Sequence, residues 1–124
     1  MYQIARLQHR LGMAWPLVLD AYLRAYGFRP ARLEPLLHVA RFYRENEQFH
    51  LGYLFSRAVI ETPYPEDLLF IESSIYDYEL WLEYALCCER LGNIGEAIRA
   101  SERVLACAHA PDPVLATARR LKQA

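Results

Sequence analysis

No apolar stretch in this sequence approaches the roughly 20 residues that span a bilayer, which argues against membrane insertion. The N-terminus also lacks a basic segment followed by an apolar core and a small-residue cleavage site, so a cytoplasmic location is expected. Charge of one sign is lacking too. With 14 Lys and Arg against 15 Asp and Glu, the formal net charge is −1. That balance gives no overall reason to expect nucleic acid or an anionic membrane as a partner. Cysteine is scarce: there are three, an odd number, and Cys87 and Cys88 are adjacent. Neighbouring cysteines close a disulfide only with strain, so reduced thiols are expected rather than a disulfide framework.

What the chain does have is apolar material in helical rhythm. Its 124 residues are 54% hydrophobic and 23% charged, enough for one compact core and too short for two ordinary domains. A single domain over residues 1–124 is expected. In the stretch 36–63, Leu36, Val39, Ala40 and Tyr43 recur at three- and four-residue spacing, stop at the polar run 44–48, and resume as Leu51, Phe55, Ala58 and Val59. This pattern predicts a helix, a tight turn at Asn46 or Glu47, and a second helix over 51–60. Tyr43 and Phe55 reach the seam between the two, where Ala40 and Gly52 let the backbones approach.

One such helix pair cannot bury its own apolar face, and the pattern recurs. Ala5 and Ala40 are 35 positions apart, Val18 and Gly52 are 34 apart, and Ala25 and Val59 are 34 apart. Ala40 to Ala85, Gly52 to Ala97 and Val59 to Val104 are each 45 apart, the same unit displaced by an insert. A period near 34 is a helical-repeat signature. Gly12 and Leu91-Gly92-Asn93 supply helix-ending turns, and Pro16 and Pro35 suit first turns. Pro63 and Pro65 interrupt the rhythm, and Leu68-Leu69-Phe70-Ile71 reads as an extended insert lying on the helices, with Asp67 or Ser74 as a cap. Pro111-Asp112-Pro113 reads as an N-cap and an N1 proline ahead of a last helix. The expected fold is all-α: a right-handed α-solenoid of three antiparallel helix hairpins, about 1–30, 33–63 and 77–110, with an irregular insert at 62–77 and a capping helix at 113–123. Ala5, Ala40, Tyr43, Gly52, Phe55, Trp81, Ala85 and Ala97 are its expected core marks.

These marks resemble the tetratricopeptide repeat. Trp81, Tyr84-Ala85, Gly92, Ala97, Val104 and Pro111 fill most places of that pattern in the third unit. Leu36, Val39-Ala40, Tyr43, Gly52, Val59 and Pro63 fill them in the second, and Ile4-Ala5, Gly12, Val18, Ala25 and Pro30 in the first. Gly52 stands where alanine is usual, and Cys88 replaces an aromatic. More narrowly, residues 1 to about 107 are similar to the repeat region that follows the catalytic domain in some bacterial family-two glycosyltransferases, carried by the stretches 21–55 and 63–80. The resemblance implies an accessory module rather than the enzyme, since nothing here resembles the metal-binding aspartate motif of the sugar-nucleotide domain. Glu34 precedes Ala40 by six residues, whereas six before Ala5 lies ahead of Met1, so a first helix cut short from a longer chain is expected.

No residue is assigned to catalysis, to a metal or to a cofactor. Cys87 and Cys88, with His9, His38, His50 and His109, form no recognised ligand spacing, and adjacent helical residues point about 100° apart. Glu79 and Glu83 share a helix face, whereas glycoside chemistry needs carboxylates opposed across a cleft. The concave face of a stack of this kind is lined by its first helices. Here it comprises Tyr2, Arg6, His9 and Arg10, then Glu34, His38, Arg41 and Arg44, then Glu79, Leu82, Glu83 and Glu89, basic at one end and acidic at the other. The lysines and asparagines with which related repeats clamp chaperone C-termini are missing from Tyr2, Arg6, His38, Glu79 and Glu83. The expectation is a non-catalytic interaction module for a protein or acidic peptide, with homodimerisation as the alternative and glycosyltransferase-related activity of its own ranked last.

Overall fold

Three helices end in the same way. After the first, Gly12 takes the left-handed conformation at φ 72°; after the third, Glu47 does so at φ 61°; after the fifth, Gly92 does so at φ 83°. In each case the following N–H reaches back five residues, Met13 to the Gln8 carbonyl at 3.2 Å, Gln48 to Tyr43 at 2.8 Å and Asn93 to Cys88 at 2.9 Å. The left-handed residue itself donates three residues back, to His9, Arg44 and Glu89. This double bonding satisfies carbonyls that a helix end leaves open. Glu47 does this without the steric freedom of glycine, and the strain is tolerable at an exposed turn.

The computed structural model describes residues 2–28, 30, 32–62 and 75–123. Over these the chain forms α1 (Tyr2–Arg10), α2 (Trp15–Phe28), α3 (Glu34–Glu45), α4 (Phe49–Arg57), α5 (Leu80–Arg90), α6 (Ile94–Leu105) and α7 (Asp112–Lys122). Seven α-helices and no strand occur among the described residues, so the protein is all-α. Neighbours in sequence pack on one another, and α3 also meets α5 while α5 meets α7. None of the helices is long and apolar enough to cross a membrane. The expected apolar run 68–71 and the caps at Asp67 and Ser74 lie outside the described residues.

Three boundaries differ from expectation. A turn of π-helix, Ile75–Glu79, precedes α5, so the regular helix starts at Leu80 rather than near residue 77. The helix α4 stops at Arg57, and Val59 and Ile60 follow it in a turn, with both N–H groups donating to the Ser56 carbonyl at 3.1 and 3.0 Å. Both side chains stay buried, so the apolar period continued past the helix because burial did. Finally, α7 begins at Asp112 with Pro111 in the capping position, and no side chain caps it. Asp112 therefore favours the helix through its charge beside the helix N-terminus.

Small side chains mark where helices cross. Ala5, Ala40 and Ala85 are each 0% exposed, and Ala97 is 1% exposed. Gly52 is buried on α4, and Trp81 and Tyr43 are buried as well. Two apolar clusters share α3: Ala5, Val18, Tyr22, Val39 and Tyr43 on one side, and Leu33, Leu36, Leu37, Leu80, Tyr84, Ala85 and their neighbours on the other. Phe55 packs against both, its ring stacked on Tyr43 with centroids 5.8 Å apart.

Candidate functional site

The charged residues expected to share one face lie on α1, α3 and α5 and in the π-helical turn before α5. On α3, Arg41 and Arg44 are one turn apart and face the same side. Arg41 Nε donates to Glu83 Oε1 at 2.8 Å, and its Nη2 donates to Glu79 at 3.2 Å. Arg44 Nε donates to the other oxygen, Glu83 Oε2. Glu83 is 2% exposed, a carboxylate held between two guanidinium forks from a neighbouring helix. Burial works to lower the pKa of both arginines, but hydrogen bonding and charge attraction from Glu83 outweigh it and raise both. Two positive and two negative charges thus meet on the middle of this face.

At the far end, Glu89 accepts from Arg120 Nη1 of α7 at 3.0 Å. Glu79, Glu83 and Glu89 are each engaged with an arginine, so the acidic end anticipated from sequence is spent largely inside the molecule.

The α1 end is different. Arg6, His9 and Arg10 of α1, Tyr22 of α2 and His38 of α3 line a pocket of about 300 Å³. His38 Nε2 lies 2.8 Å from the Tyr2 hydroxyl, and its ring stacks on Tyr22 with centroids 5.5 Å apart. His9 Nδ1 lies 3.0 Å from the Tyr22 hydroxyl. Burial, helped by Arg6, Arg41 and His9, pushes the His38 pKa down to about 4, so this imidazole is neutral at pH 7. Burial pushes Tyr22 up to about 12, partly offset by Arg6, so its hydroxyl stays protonated. The fixed positive charge of the pocket comes from Arg6 and Arg10, and among the described residues no acidic side chain lines it.

Aromatic packing backs His9, whose ring centroid lies 5.6 Å from that of Trp15 and 6.0 Å from that of Phe42. Trp15 stacks on Phe42 with centroids 3.6 Å apart, and its Nε1 donates to the Tyr43 hydroxyl at 3.2 Å. The adjacent cysteines are core: both thiols are 0% exposed, and burial pushes Cys87 up to about 12, far from a reactive thiolate. Comparison of the chain with protein-family models, with curated proteins and with solved structures gave no match.

Sequence reasoning placed Tyr2, Arg6, His9, Arg10 and His38 together, and the structure brings them together. It also grouped Arg41 and Arg44 with Glu79 and Glu83 as parts of one face but missed that they neutralise each other. The signal was present: Glu83 is equivalent to His38 by the 45-residue displacement, and Arg41 lies one turn beyond His38. A third grouping escaped it altogether, at Asp77, Cys107 and His109, whose ligand atoms converge although 30 positions separate the first two. The only local trace is a cysteine and a histidine separated by one residue.

Proposed function

We propose that this chain is a non-catalytic protein-interaction module, built as a right-handed solenoid of three tetratricopeptide-like antiparallel helix hairpins with a C-terminal cap. It acts in the cytoplasm beside a glycosyltransferase catalytic domain and holds an acidic segment of a partner protein. The repeat reading is supported by the left-handed residues at 12, 47 and 92, which follow the same 35- and 45-residue displacements as the buried alanines at 5, 40 and 85. The link to a glycosyltransferase is supported by the resemblance of residues 1 to about 107.

The observation that carries the binding function is the pocket formed by Arg6, His9, Arg10, Tyr22 and His38. Two guanidinium groups beside a neutral imidazole and a protonated phenol favour a carboxylate or phosphate, which Arg can grip with two parallel hydrogen bonds. The ligand face is therefore narrower than the full groove, because Arg41 and Arg44 already hold Glu83.

Fluorescence anisotropy with acidic, phosphorylated and basic peptides tests this. Acidic and phosphorylated peptides should bind, more weakly as salt rises, and Arg6→Glu/Arg10→Glu should abolish that binding. Equal binding of basic peptides, or unchanged binding by the variant, would sink the proposal. A second reading, self-association, has its own observation: Ile4, Leu7, Leu11 and Leu17 are 52–69% exposed on and after α1 and on α2. Sedimentation at rising concentration measures it, and a monomer throughout removes it.

A further inference from the structure

Apolar exposure is concentrated at one end of the molecule. Of the ten large apolar side chains exposed among the described residues, all but Leu51, Leu54 and Ile94 belong to α1, α2 or the turn between them. On α2, Leu17, Ala21, Arg24 and Phe28 recur at spacings of four, three and four, a single stripe along the helix. On α1, Ile4, Leu7 and Leu11 recur at spacings of three and four. A groove of about 320 Å³ is lined by Ile4 from α1 and by Leu17, Asp20, Ala21 and Arg24 from α2.

The next pair of helices shows what becomes of these positions when they are covered. A displacement of 35 carries Ile4 to Val39 and Leu7 to Phe42, and a displacement of 34 carries Ala21 to Phe55. Val39 is fully buried in a cluster with Ala5, Val18 and Tyr22 of α1 and α2. Phe42 stacks on Trp15 of α2, and Phe55 packs against the same cluster. On α3 and α4 these places are thus filled contacts between helix pairs. On α1 they are open: Ile4 and Leu7 are 60% and 52% exposed, and no described helix covers them.

The last helix of another copy is a poor cover for this face. It exposes Arg119, Arg120 and Lys122, and no large apolar side chain of α7 is exposed among the described residues. Head-to-tail stacking would press those cations onto an apolar surface at a desolvation cost. The same face of a second copy matches better, in its charges as well as its apolar side chains. Asp20 and Arg24 lie one turn apart in the groove and pair with each other at 2.8 Å, both side chains well exposed. An exposed pair of this kind is worth little, so a two-fold axis can exchange two such pairs for two between copies. Antiparallel α2 helices crossing near the small Ala21 place Asp20 opposite Arg24 of the second copy, and Leu17 opposite its Phe28.

We propose that two copies of this chain join through the outer face of α1 and α2 about a two-fold axis, with the two α2 helices antiparallel and Asp20 of each copy paired to Arg24 of the other. The proposal rests on the self-association reading and adds the interface to it. A two-fold contact uses the same patch twice and closes at a dimer. Arg6 and His9 are each two positions from Ile4 and Leu11, about 200° around the helix, so the anion pocket stays open in both copies. The dimer then presents two such pockets, and a partner carrying two acidic segments gains from binding both at once.

Sedimentation equilibrium of the purified chain and four variants tests this. The wild type should reach a dimer and grow no further as concentration rises. Leu17→Arg should be monomeric, with circular dichroism and melting temperature unchanged because the side chain it replaces is 57% exposed. Asp20→Arg and Arg24→Asp alone each set like charges against each other twice across the axis and should weaken the dimer by at least about tenfold. Mixed in equal amounts, these two variants should form a heterodimer, since each supplies the charges the other lacks, and Asp20→Arg/Arg24→Asp should dimerise by itself. A dimer that survives Leu17→Arg, or single charge variants that do not recover on mixing, would overturn this interface and leave self-association standing. Open-ended growth would mean a head-to-tail contact and overturn it too. A wild type that stays monomeric removes the interface and the self-association reading together.

Discussion

Gly52→Ala puts the crossing of α3, α4 and α5 to a quantitative test. A Cβ at this position would lie 2.7 Å from Cys87 Sγ, 3.3 Å from the Ala40 carbonyl oxygen and 3.5 Å from the Arg44 nitrogen. On propensity alone, alanine should stabilise the helix by up to about 1 kcal/mol. Overpacking a filled core costs about 1–3 kcal/mol. The sulfur is fully buried, and the carbonyl moves only if α3 moves, so the steric cost should win. The expected net loss is about 1–2 kcal/mol, or about 4–8 °C in melting temperature for a domain of this size. Cys87→Ala alone removes one buried sulfur and should cost about 1 kcal/mol. Combined, the new methyl enters the space the sulfur left, and the two losses should fall short of adding by about 1 kcal/mol or more. Urea unfolding of the four proteins measures this coupling. A Gly52→Ala protein more stable than wild type, or strict additivity with Cys87→Ala, would refute the packing argument.

Three further outcomes are expected. Ala40→Leu should cost about 1–3 kcal/mol by overpacking the same crossing, and an unchanged melting point would contradict the placement of Ala40. Glu83→Gln leaves Arg41 and Arg44 without their shared carboxylate and should cost about 2–4 kcal/mol; the arginine side chains keep 32% and 27% exposure, which moderates the loss. Denaturant unfolding that shows less than about 1 kcal/mol would mean the pairing is incidental. His38 has a folded pKa pushed down to about 4 from an ordinary 6.5, so the unfolded chain binds the extra proton first as pH falls. The contribution of this residue is full above pH 6.5 and is lost between about 6.5 and 4, by up to about 3 kcal/mol, and His38→Asn should flatten that part of the pH–stability curve. Parallel curves for the two proteins would contradict it.

The helices were legible because their apolar residues recur at helical spacing and their ends carry glycine or proline. Gly12 and Gly92 marked two turns directly; Asn46-Glu47 marked the third less clearly because no glycine is there, yet Glu47 adopts the same backbone. The ends of α4 and α5 were misread because periodicity reports burial rather than hydrogen bonding. Val59 and Ile60 are buried outside α4, and Tyr78 lies in a wider turn before α5. Gly52 in place of the usual alanine looked like an irregularity. Cys87 Sγ, on another helix, is what leaves no room for a methyl, and a pattern read along one helix cannot see it.

The same limit governs the charges, and it changes the functional reading. Arg6, Arg10, Arg41 and Arg44 look alike in sequence, and a face that displayed all four would attract anions along both α1 and α3. Their environments separate them. A carboxylate as buried as Glu83 must be compensated, since an unpaired charge there costs several kcal/mol, and Arg41 and Arg44 are the groups that compensate it. An incoming peptide carboxylate would compete with one already desolvated and already held by both forks, so these arginines offer it little. Around Arg6 and Arg10 no acidic residue lines the pocket among the described residues, and the neutral His38 and the protonated Tyr22 can add hydrogen bonds without adding charge. One buried glutamate thus fastens α3 to α5 through Arg41 and Arg44, and the anion recognition we propose is confined to the α1 end of the face.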